Sequence, residues 1–474
     1  MLRSVLSLSV ALALTACSPQ NSSTEQQTQS AATEEAQQQL SSGVIKENMD
    51  LSVDPGDDFF RYVNGKWFDN FEIPADKSSY GSFVILRDEA QDHVMDIIKS
   101  SAEGDFKAGS DEQKVGDFYR AYMDMETRNE LGMTPLKPEL TKIEAIEDYT
   151  DLAEYFAYAA RYGYGTPFSL TQYPDLKSPK EYLMYTWQSG LGLPEREYYF
   201  KDDETSQTIR DAYVKHIQTM FELAGFDAPK ESADMLFALE TKIAQLHMKK
   251  EQARNFAANY NKLTIEELKA LMPKFDWDAY LTEADISDIP SLGILQKDYM
   301  QNIDGVIAET SLEDWKTFLK WGLLNASASR LNAELDEANF NFYSKVLRGV
   351  EEQQPQWRRA VSLSNAHVGE LIGKVYVKQH FPPEAKDRMM EMVNNLLLAY
   401  KESIENLDWM TDETRAQALD KLSKFTVKIG YPDQWRDYSA LTVNASDLFG
   451  NLKRSSDVLY EEMLKKQGGP VWTH

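Results

Sequence analysis

Apolar residues recur at three- and four-residue spacing along much of this 474-residue chain. The series that starts at Met389 continues at Val393, Leu396, Leu397, Tyr400, Ile404 and Leu407. A second series, in "SLEDWKTFLKWGLL", places Trp315, Phe318, Leu319 and Leu323 on one side. Residues at this spacing line one face of an α-helix. The sequence therefore predicts a mainly α, multi-helical fold with minor β content.

Two segments have the composition of short strands. They are "LMYTW" at 183–187 and "GKVYV" at 373–377, both rich in β-branched or aromatic residues. Helix starts are marked by potential caps. Thr264 and Glu267 match the residue pattern of a capping box, and Ser311 with Asp314 matches it less closely. Thr411 or Asp412 can cap the helix that follows.

The N-terminus has the composition of a secretory signal. Arg3 is followed by an apolar run at 5–13 and by small residues before Cys17. The end of this segment, "LTAC", resembles the lipobox of bacterial lipoproteins, and Cys17 is the only cysteine in the chain. We therefore predict a signal peptide at 1–17 and lipidation of Cys17, with a plain secreted protein as the alternative.

A polar segment follows the cysteine. Residues 18–42 contain no aromatic residue and one large aliphatic residue, Leu40. Such a segment buries too little apolar surface to offset its ordering entropy, so 18–47 is predicted to be a disordered tether. Ser18 after the lipidated cysteine favours an outer-membrane anchor, which places the protein in the bacterial cell envelope, facing the periplasm.

Size and charge limit the remaining possibilities. About 430 residues follow the polar segment, more than one hydrophobic core usually holds, so two lobes are expected. The formal charge is −26, and removing residues 1–17, whose only charged side chain is Arg3, makes it −27. Nucleic acid is therefore excluded as a partner, and the lipid is the expected attachment to the membrane.

The chain lacks the common catalytic motifs. None of the six histidines is followed by glutamate, so the His-Glu-x-x-His zinc motif is absent. The nearest arrangement is His367 with Glu370, which we interpret as an ordinary pair on a helix. The sequence also has no Gly-x-Ser-x-Gly elbow and no phosphate-binding loop. The residues alone indicate no catalytic residues and no metal ligands.

Six segments resemble, in order, the neprilysin and endothelin-converting-enzyme family of zinc metallopeptidases. They are "DDFFRYVNGKW" (57–67), "QSGLGLPEREYYF" (188–200), "ANYNKLTIEELK" (258–269), "LIGKVYVKQHF" (371–381), "LDWMTDETRAQALDKL" (407–422) and "KIGYPDQWRDY" (428–438). The resemblance implies that residues 48–471 form the helical lid lobe of such a peptidase, with a divergent tail at 472–474. In the family, this lobe limits access to peptides and small unfolded polypeptides, and a thermolysin-like lobe carries zinc.

The resemblance also implies one site residue. The arginine of the family's "ILRDE" segment lies at the far end of the substrate pocket, and Arg87 is the matching residue here. A guanidinium group can bind a peptide carboxylate through two hydrogen bonds. The alternative is that Arg87 pairs with the neighbouring Asp88 or Glu89.

Three interpretations of function remain. The first is a truncated form of an envelope zinc metalloendopeptidase, inactive because the half that carries the His-Glu-x-x-His motif is missing. The second is a non-catalytic, lipid-anchored module that binds peptides or a partner chain, and the third is an active enzyme. Zinc is the cofactor of the full-length family, and we expect none to bind this chain.

Overall fold

The computed structural model describes residues 44–471, and the chain divides into two compact units with the boundary between Glu72 and Ile73. In the first unit, the 3₁₀ helix Lys46–Asn48 precedes helix α1 (Phe59–Asn70). The carboxylate of Asp58 caps α1 by accepting a hydrogen bond from the Arg61 amide at 2.9 Å. The backbone amide of Asp50 donates to the Tyr62 carbonyl at 3.0 Å, which ties the preceding segment to this helix.

The second unit is mainly helical, which confirms the predicted fold class. Its first half contains α2 (Ser82–Glu103), α3 (Asp111–Met123), α4 (Met125–Leu131), α5 (Lys137–Glu144), α6 (Tyr149–Tyr162), α7 (Glu197–Phe200), α8 (Glu204–Ala224), α9 (Pro229–Leu246) and α10 (Lys250–Ala253). Its second half contains α11 (Ile265–Leu271), α12 (Trp277–Glu283), α13 (Lys297–Glu309), α14 (Leu312–Ser327), α15 (Ala333–Phe340), α16 (Gln356–His380), α17 (Pro383–Asn406), α18 (Asp412–Ser423) and α19 (Leu448–Lys466). A π-helix, Asn341–Val346, directly follows α15.

A small sheet lies among these helices. Its strands are β1 (Phe168–Pro174), β2 (Tyr182–Gln188), β3 (Asn261–Thr264) and β4 (Ser291–Ile294), in the spatial order β1-β2-β4-β3. The pairing of β2 with β4 is parallel, and the two outer pairings are antiparallel. Strand β2 confirms the strand predicted at 183–187.

The strand predicted at 373–377 is wrong, because these residues lie inside α16. Buried residues upstream keep helical spacing at Val361, Val368, Leu371 and Ile372, and the helix continues through the β-branched pair around Tyr376. β propensity is weak and depends on context, so packing of the helix against α2 and α3 outweighs it. The helix is kinked at Val368, where φ is −132° and ψ is 24°.

The predicted helix caps are present. Thr264 and Glu267 form a reciprocal capping box at α11, and the Ser311 hydroxyl accepts a hydrogen bond from the Asp314 amide at 3.1 Å. At α18 the cap is Thr411, whose hydroxyl accepts from the Thr414 amide at 3.2 Å. Each cap satisfies a backbone donor that the first turn of the helix leaves unpaired.

The second unit has two large hydrophobic cores and one small separate cluster. The larger core joins helices α6, α8, α9 and α12–α15 to one face of the sheet. The smaller core joins α2, α3 and α16 to Tyr438, Leu441 and the start of α19. Helices α17 and α18 pack on each other and contain no buried residue. Within residues 44–471, no helix is both long and apolar enough to span a membrane.

The predicted domain boundaries remain predictions. The predicted signal peptide, the predicted lipidation site Cys17, most of the predicted tether and the tail at 472–474 lie outside the described residues.

Candidate functional site

Arg87 lies in the second turn of α2, with 57% of its side chain exposed. Its Nε atom is 4.0 Å from Asp88 Oδ1, too far for a hydrogen bond. That carboxylate has closer partners, since Lys77 Nζ and Arg358 Nη1 each lie 3.0 Å from an Asp88 oxygen. Burial opposes ionisation of Asp88, yet the hydrogen bond and charge of Lys77, together with Arg358, outweigh it and hold its pKa below its ordinary value. The guanidinium group of Arg87 is therefore available for another anion.

Arg87 faces a cavity of about 450 Å³ within the second unit. One wall is the segment before α2, residues 76–79. The opposite wall comes from α15, the π-helix and the chain after it, and includes Asp336, Asn339, Phe340, Ser344, Arg348, Glu352 and Arg359. The two walls are tied together, because the amides of Glu351 and Glu352 both donate to the Ala75 carbonyl, at 3.1 and 3.0 Å.

The cavity contains a second arginine without a carboxylate partner. Asp336 binds Arg359 and accepts a hydrogen bond from Gln353 Nε2 at 3.0 Å, so these charges compensate each other. Arg348 is exposed and forms no ion pair with any residue between 44 and 471. Together with Arg87, whose Nε is 4.0 Å from Asp88, it gives the cavity two guanidinium groups that are not hydrogen-bonded to a carboxylate, which suits an anionic group of a ligand. Sequence reasoning missed Arg348, because "VLRGVEEQ" carries no motif that marks it.

The "QSGLGLPEREYYF" segment contributes to the core and does not line this cavity. Tyr199 OH donates to Glu240 Oε2 at 2.6 Å, and Tyr213 OH donates to Glu240 Oε1 at 2.9 Å. Gly192 lies against the second hydroxyl, where a Cβ atom would be 1.7 Å from Tyr213 Oη. Burial raises the pKa of Glu240 to about 7, although the tyrosine hydroxyls oppose the shift. Gly192 is thus required for the close packing of this segment against Tyr213, which binds the buried Glu240 carboxyl group.

The His367–Glu370 pair does not form a metal site. His367 Nδ1 interacts with the Ser455 hydroxyl, and burial lowers the pKa of this histidine to about 4. Glu370 Oε2 instead accepts a hydrogen bond from the Arg436 amide at 2.7 Å. Over the described range, no three His, Cys, Asp or Glu side chains are placed to hold a metal ion. Residues 44–471 therefore do not fit the zinc that the sequence resemblance implies for the family.

Comparisons with known proteins agree with the resemblance. The model of peptidase family M13 matches residues 55–432. Endothelin-converting enzyme-like 1 of Mus musculus is 28% identical over 411 residues, which cover 82% of this chain and 52% of the relative. Endothelin-converting enzyme 1 of the same species is 25% identical over 436 residues, covering 89% and 55%. The chain thus spans about half the length of the curated relatives it matches.

Solved structures show the same fold. The zinc metalloprotease ZMP1 of Mycobacterium tuberculosis, crystallised with an inhibitor, is 37% identical with a TM-score of 0.86, and the match covers 91% of this chain and 65% of that one. PEPO of Lactobacillus rhamnosis, at 19% identity and a TM-score of 0.77, supports the fold alone. Zinc is the metal of the family's metalloproteases. Because the family model matches most of the chain and the fold agrees, this chain belongs to peptidase family M13.

Proposed function

We propose that residues 44–471 form the peptide-binding lobe of a zinc metalloendopeptidase that cleaves peptides and small unfolded polypeptides in the bacterial envelope. The observation that carries this proposal is the Arg87 cavity. Two guanidinium groups line it, Arg87, whose contact with Asp88 is too long for a hydrogen bond, and Arg348, and their charge is opposite to that of a peptide carboxylate. The similarity to ZMP1, a zinc metalloprotease, supports the same reading.

In this proposal Arg87 binds and orients the peptide. Its guanidinium donates two parallel hydrogen bonds to the C-terminal carboxylate, and Arg348 adds positive charge nearby. Lys77 and Arg358 hold the Asp88 carboxylate, so that Asp88 does not compete for Arg87. The proposed site thus selects peptides by their charged end.

The proposed hydrolysis depends on polypeptide outside residues 44–471, because the described residues do not fit a zinc site. We expect the 474-residue chain by itself to show no zinc-dependent peptidase activity. The measurement is zinc content after dialysis, together with cleavage of a quenched fluorescent peptide in the presence and absence of a chelator. Stoichiometric zinc and chelator-sensitive cleavage would contradict this part of the proposal.

Peptide binding is tested with one labelled peptide in two forms, with a free C-terminal carboxylate and with a C-terminal amide. The wild-type chain is expected to bind the carboxylate form about fivefold more tightly, a modest factor because Arg87 is more than half exposed. Arg87→Ala should remove this preference. Arg388→Ala is the matched control, since Arg388 is exposed on α17 and does not line the cavity. A preference for the carboxylate form that persists in Arg87→Ala would refute the assignment.

A second candidate is a non-catalytic module that binds a partner chain. The observation that favours it is the apolar face of α17, where Leu396 and Tyr400 remain 50% and 58% exposed although α18 packs against the helix. A partner that completes a peptidase should co-purify with this chain and confer chelator-sensitive cleavage. A partner that confers no cleavage would favour the non-catalytic module.

We also propose that Cys17 anchors the protein in the outer membrane through lipid. This proposal is supported by the lipobox-like motif "LTAC", which ends at Cys17, and by the polar segment that follows it. Several acyl chains anchor a protein durably, because each buried methylene contributes about 0.8 kcal/mol. Cys17→Ala should move the protein from the detergent-extracted membrane fraction to the soluble fraction, and unchanged membrane retention would count against the anchor.

A further inference from the structure

The sheet has an apolar surface on both faces. On β2, Met184 and Thr186 are buried toward the larger core. The alternate residues Leu183 and Tyr185 form a separate cluster with Leu295 on the other face. A sheet face that is turned to water ordinarily carries polar residues. The second face of this sheet is therefore apolar, and Trp187 and Tyr260 pack against part of it.

A cavity of about 560 Å³ lies on this second face. Its walls include Tyr173, Leu176, Tyr185, Trp187, Phe256 and Leu295. The rings of Tyr173 and Trp187 are 6.2 Å apart between centroids and tilted by 43°. Gly293 lies against Tyr185 behind this wall, since a Cβ atom there would be 2.3 Å from the tyrosine ring. The volume falls within the range of small-molecule sites, about 300–1,000 Å³.

The cavity is uncharged and presents one buried amide. No Asp, Glu, Lys, Arg or His side chain lines it. Gln296 is 5% exposed, and its Oε1 accepts a hydrogen bond from the Gln188 amide at 3.1 Å. Its Nε2 makes no hydrogen bond to the rest of the described chain. This donor is not among the fully buried unpaired atoms, so it stays accessible and an oxygen of a ligand in the cavity can accept a hydrogen bond from it.

These features define the ligand by its chemistry. A charged ligand would lose hydration here without gaining an ionic partner. Flat aromatic rings pack well against tyrosine, tryptophan and phenylalanine. We propose that this cavity binds a neutral aromatic small molecule that carries a carbonyl oxygen, with its rings against Trp187 and Phe256 and its oxygen accepting from Gln296 Nε2. This site is separate from the Arg87 cavity and does not depend on the proposed peptidase function.

The test uses prodan, a neutral naphthyl ketone whose emission shifts to the blue when it leaves water. Phe256→Ala in the full chain should weaken prodan binding about tenfold, as expected for loss of an aromatic wall. Phe425→Ala is the matched control, because Phe425 is 59% exposed and Phe256 is 56% exposed, and only Phe256 lines the cavity. The control should bind within about twofold of wild type.

The hydrogen bond is tested with Gln296→Glu, which keeps an acceptor for the Gln188 amide and replaces the donor by a carboxylate. This variant should also bind prodan at least about tenfold more weakly. If Phe256→Ala does not fold, as judged by circular dichroism, Leu176→Arg at the half-exposed edge of the cavity takes its place and should block binding. Equal affinities for the cavity variant and Phe425→Ala, or no binding of prodan to the wild-type chain, would overturn the proposal. Saturable binding of a phenylalanine-rich peptide without binding of prodan would assign the cavity to peptide side chains and would also overturn it.

Discussion

Helices α14 and α17 have the same kind of amphipathic sequence and opposite surroundings. Seven residues of α14 are buried, among them Trp315, Phe318 and Leu324, whereas no residue of α17 is buried. On α17 the predicted face is present, yet Met389, Leu396 and Tyr400 are 38%, 50% and 58% exposed. Hydrophobic spacing therefore encodes a helix and the direction of its apolar face, and leaves open which surface covers that face.

The difference follows from the neighbours of each helix. Trp315 of α14 packs edge-on against Phe156, and its indole N–H donates to the Ile307 carbonyl at 3.1 Å. Helix α17 has α18 as its main neighbour, and α18 has no buried residue either. Because α14 lies inside a dense core, its side chains contribute to the stability of the whole unit. The side chains on the exposed face of α17 are already largely in contact with water in the folded state, so they contribute little to the free energy of unfolding.

The largest contrast is expected from one substitution made in both helices. Leu324→Ala should lower the free energy of unfolding by about 2–5 kcal/mol, because it leaves a cavity at a fully buried position. Leu396→Ala, at a position that is 50% exposed, should change it by less than about 0.5 kcal/mol. Urea unfolding followed by circular dichroism measures both values. A large loss in Leu396→Ala would mean that the face of α17 is covered in solution.

The core around α14 also predicts a dependence of stability on pH. Trp321 of α14 donates to Tyr213 Oη at 3.2 Å, next to the buried Glu240, whose pKa is raised by burial to about 7. A carboxyl group with a raised folded-state pKa binds more protons in the folded than in the unfolded state. Its contribution is thus fully present below its unfolded pKa of 4.5 and is lost as the pH rises through 7.

Glu240→Gln, which imitates the protonated carboxyl group, should remove this dependence. The stability of wild type relative to the variant should fall by about 3 kcal/mol between the two pKa values, at 1.36 kcal/mol per unit. Burial lowers the pKa of His216 in the same core to about 3, so its contribution is lost as the pH falls below 6.5. Both proteins share this term, and it cancels in their difference. A difference that does not change with pH would show that Glu240 titrates in its ordinary range.

A smaller effect is expected on self-association through the exposed face of α17. Leu396→Glu should weaken any self-association of the chain at least about tenfold, because it places a charge in the middle of an apolar patch. Leu398→Glu is the control, since Leu398 lies half a turn away and is also exposed. Sedimentation velocity over a concentration series measures both. Equal effects of the two variants would show that general charge, and not this face, controls association.

The same contrast explains how far the sequence predicted the structure. The caps at Thr264 and Ser311 and the face of α14 were predictable because each depends on neighbours within one helical turn. The helical state of 373–377 was not, since it depends on packing of α16 against α2 and α3. The site shows the same division. Arg87 was predicted through the resemblance of its segment to a known family, whereas Arg348 reaches the same cavity only through the fold and has no local signal.

The smallest effects separate global from local stability at two equivalent caps. The Ser311 hydroxyl caps the packed helix α14, and the Thr411 hydroxyl caps the exposed helix α18, with hydrogen bonds of 3.1 and 3.2 Å. Ser311→Ala should lower the free energy of global unfolding by about 1 kcal/mol. Thr411→Ala should leave global unfolding unchanged and increase amide hydrogen exchange only in α18 and its neighbour α17, because weakly packed segments open independently of the core. If Thr411→Ala lowered global stability as much as Ser311→Ala, the α17–α18 pair would unfold together with the core. The two regions would then differ in solvent exposure but not in the free energy at which they unfold.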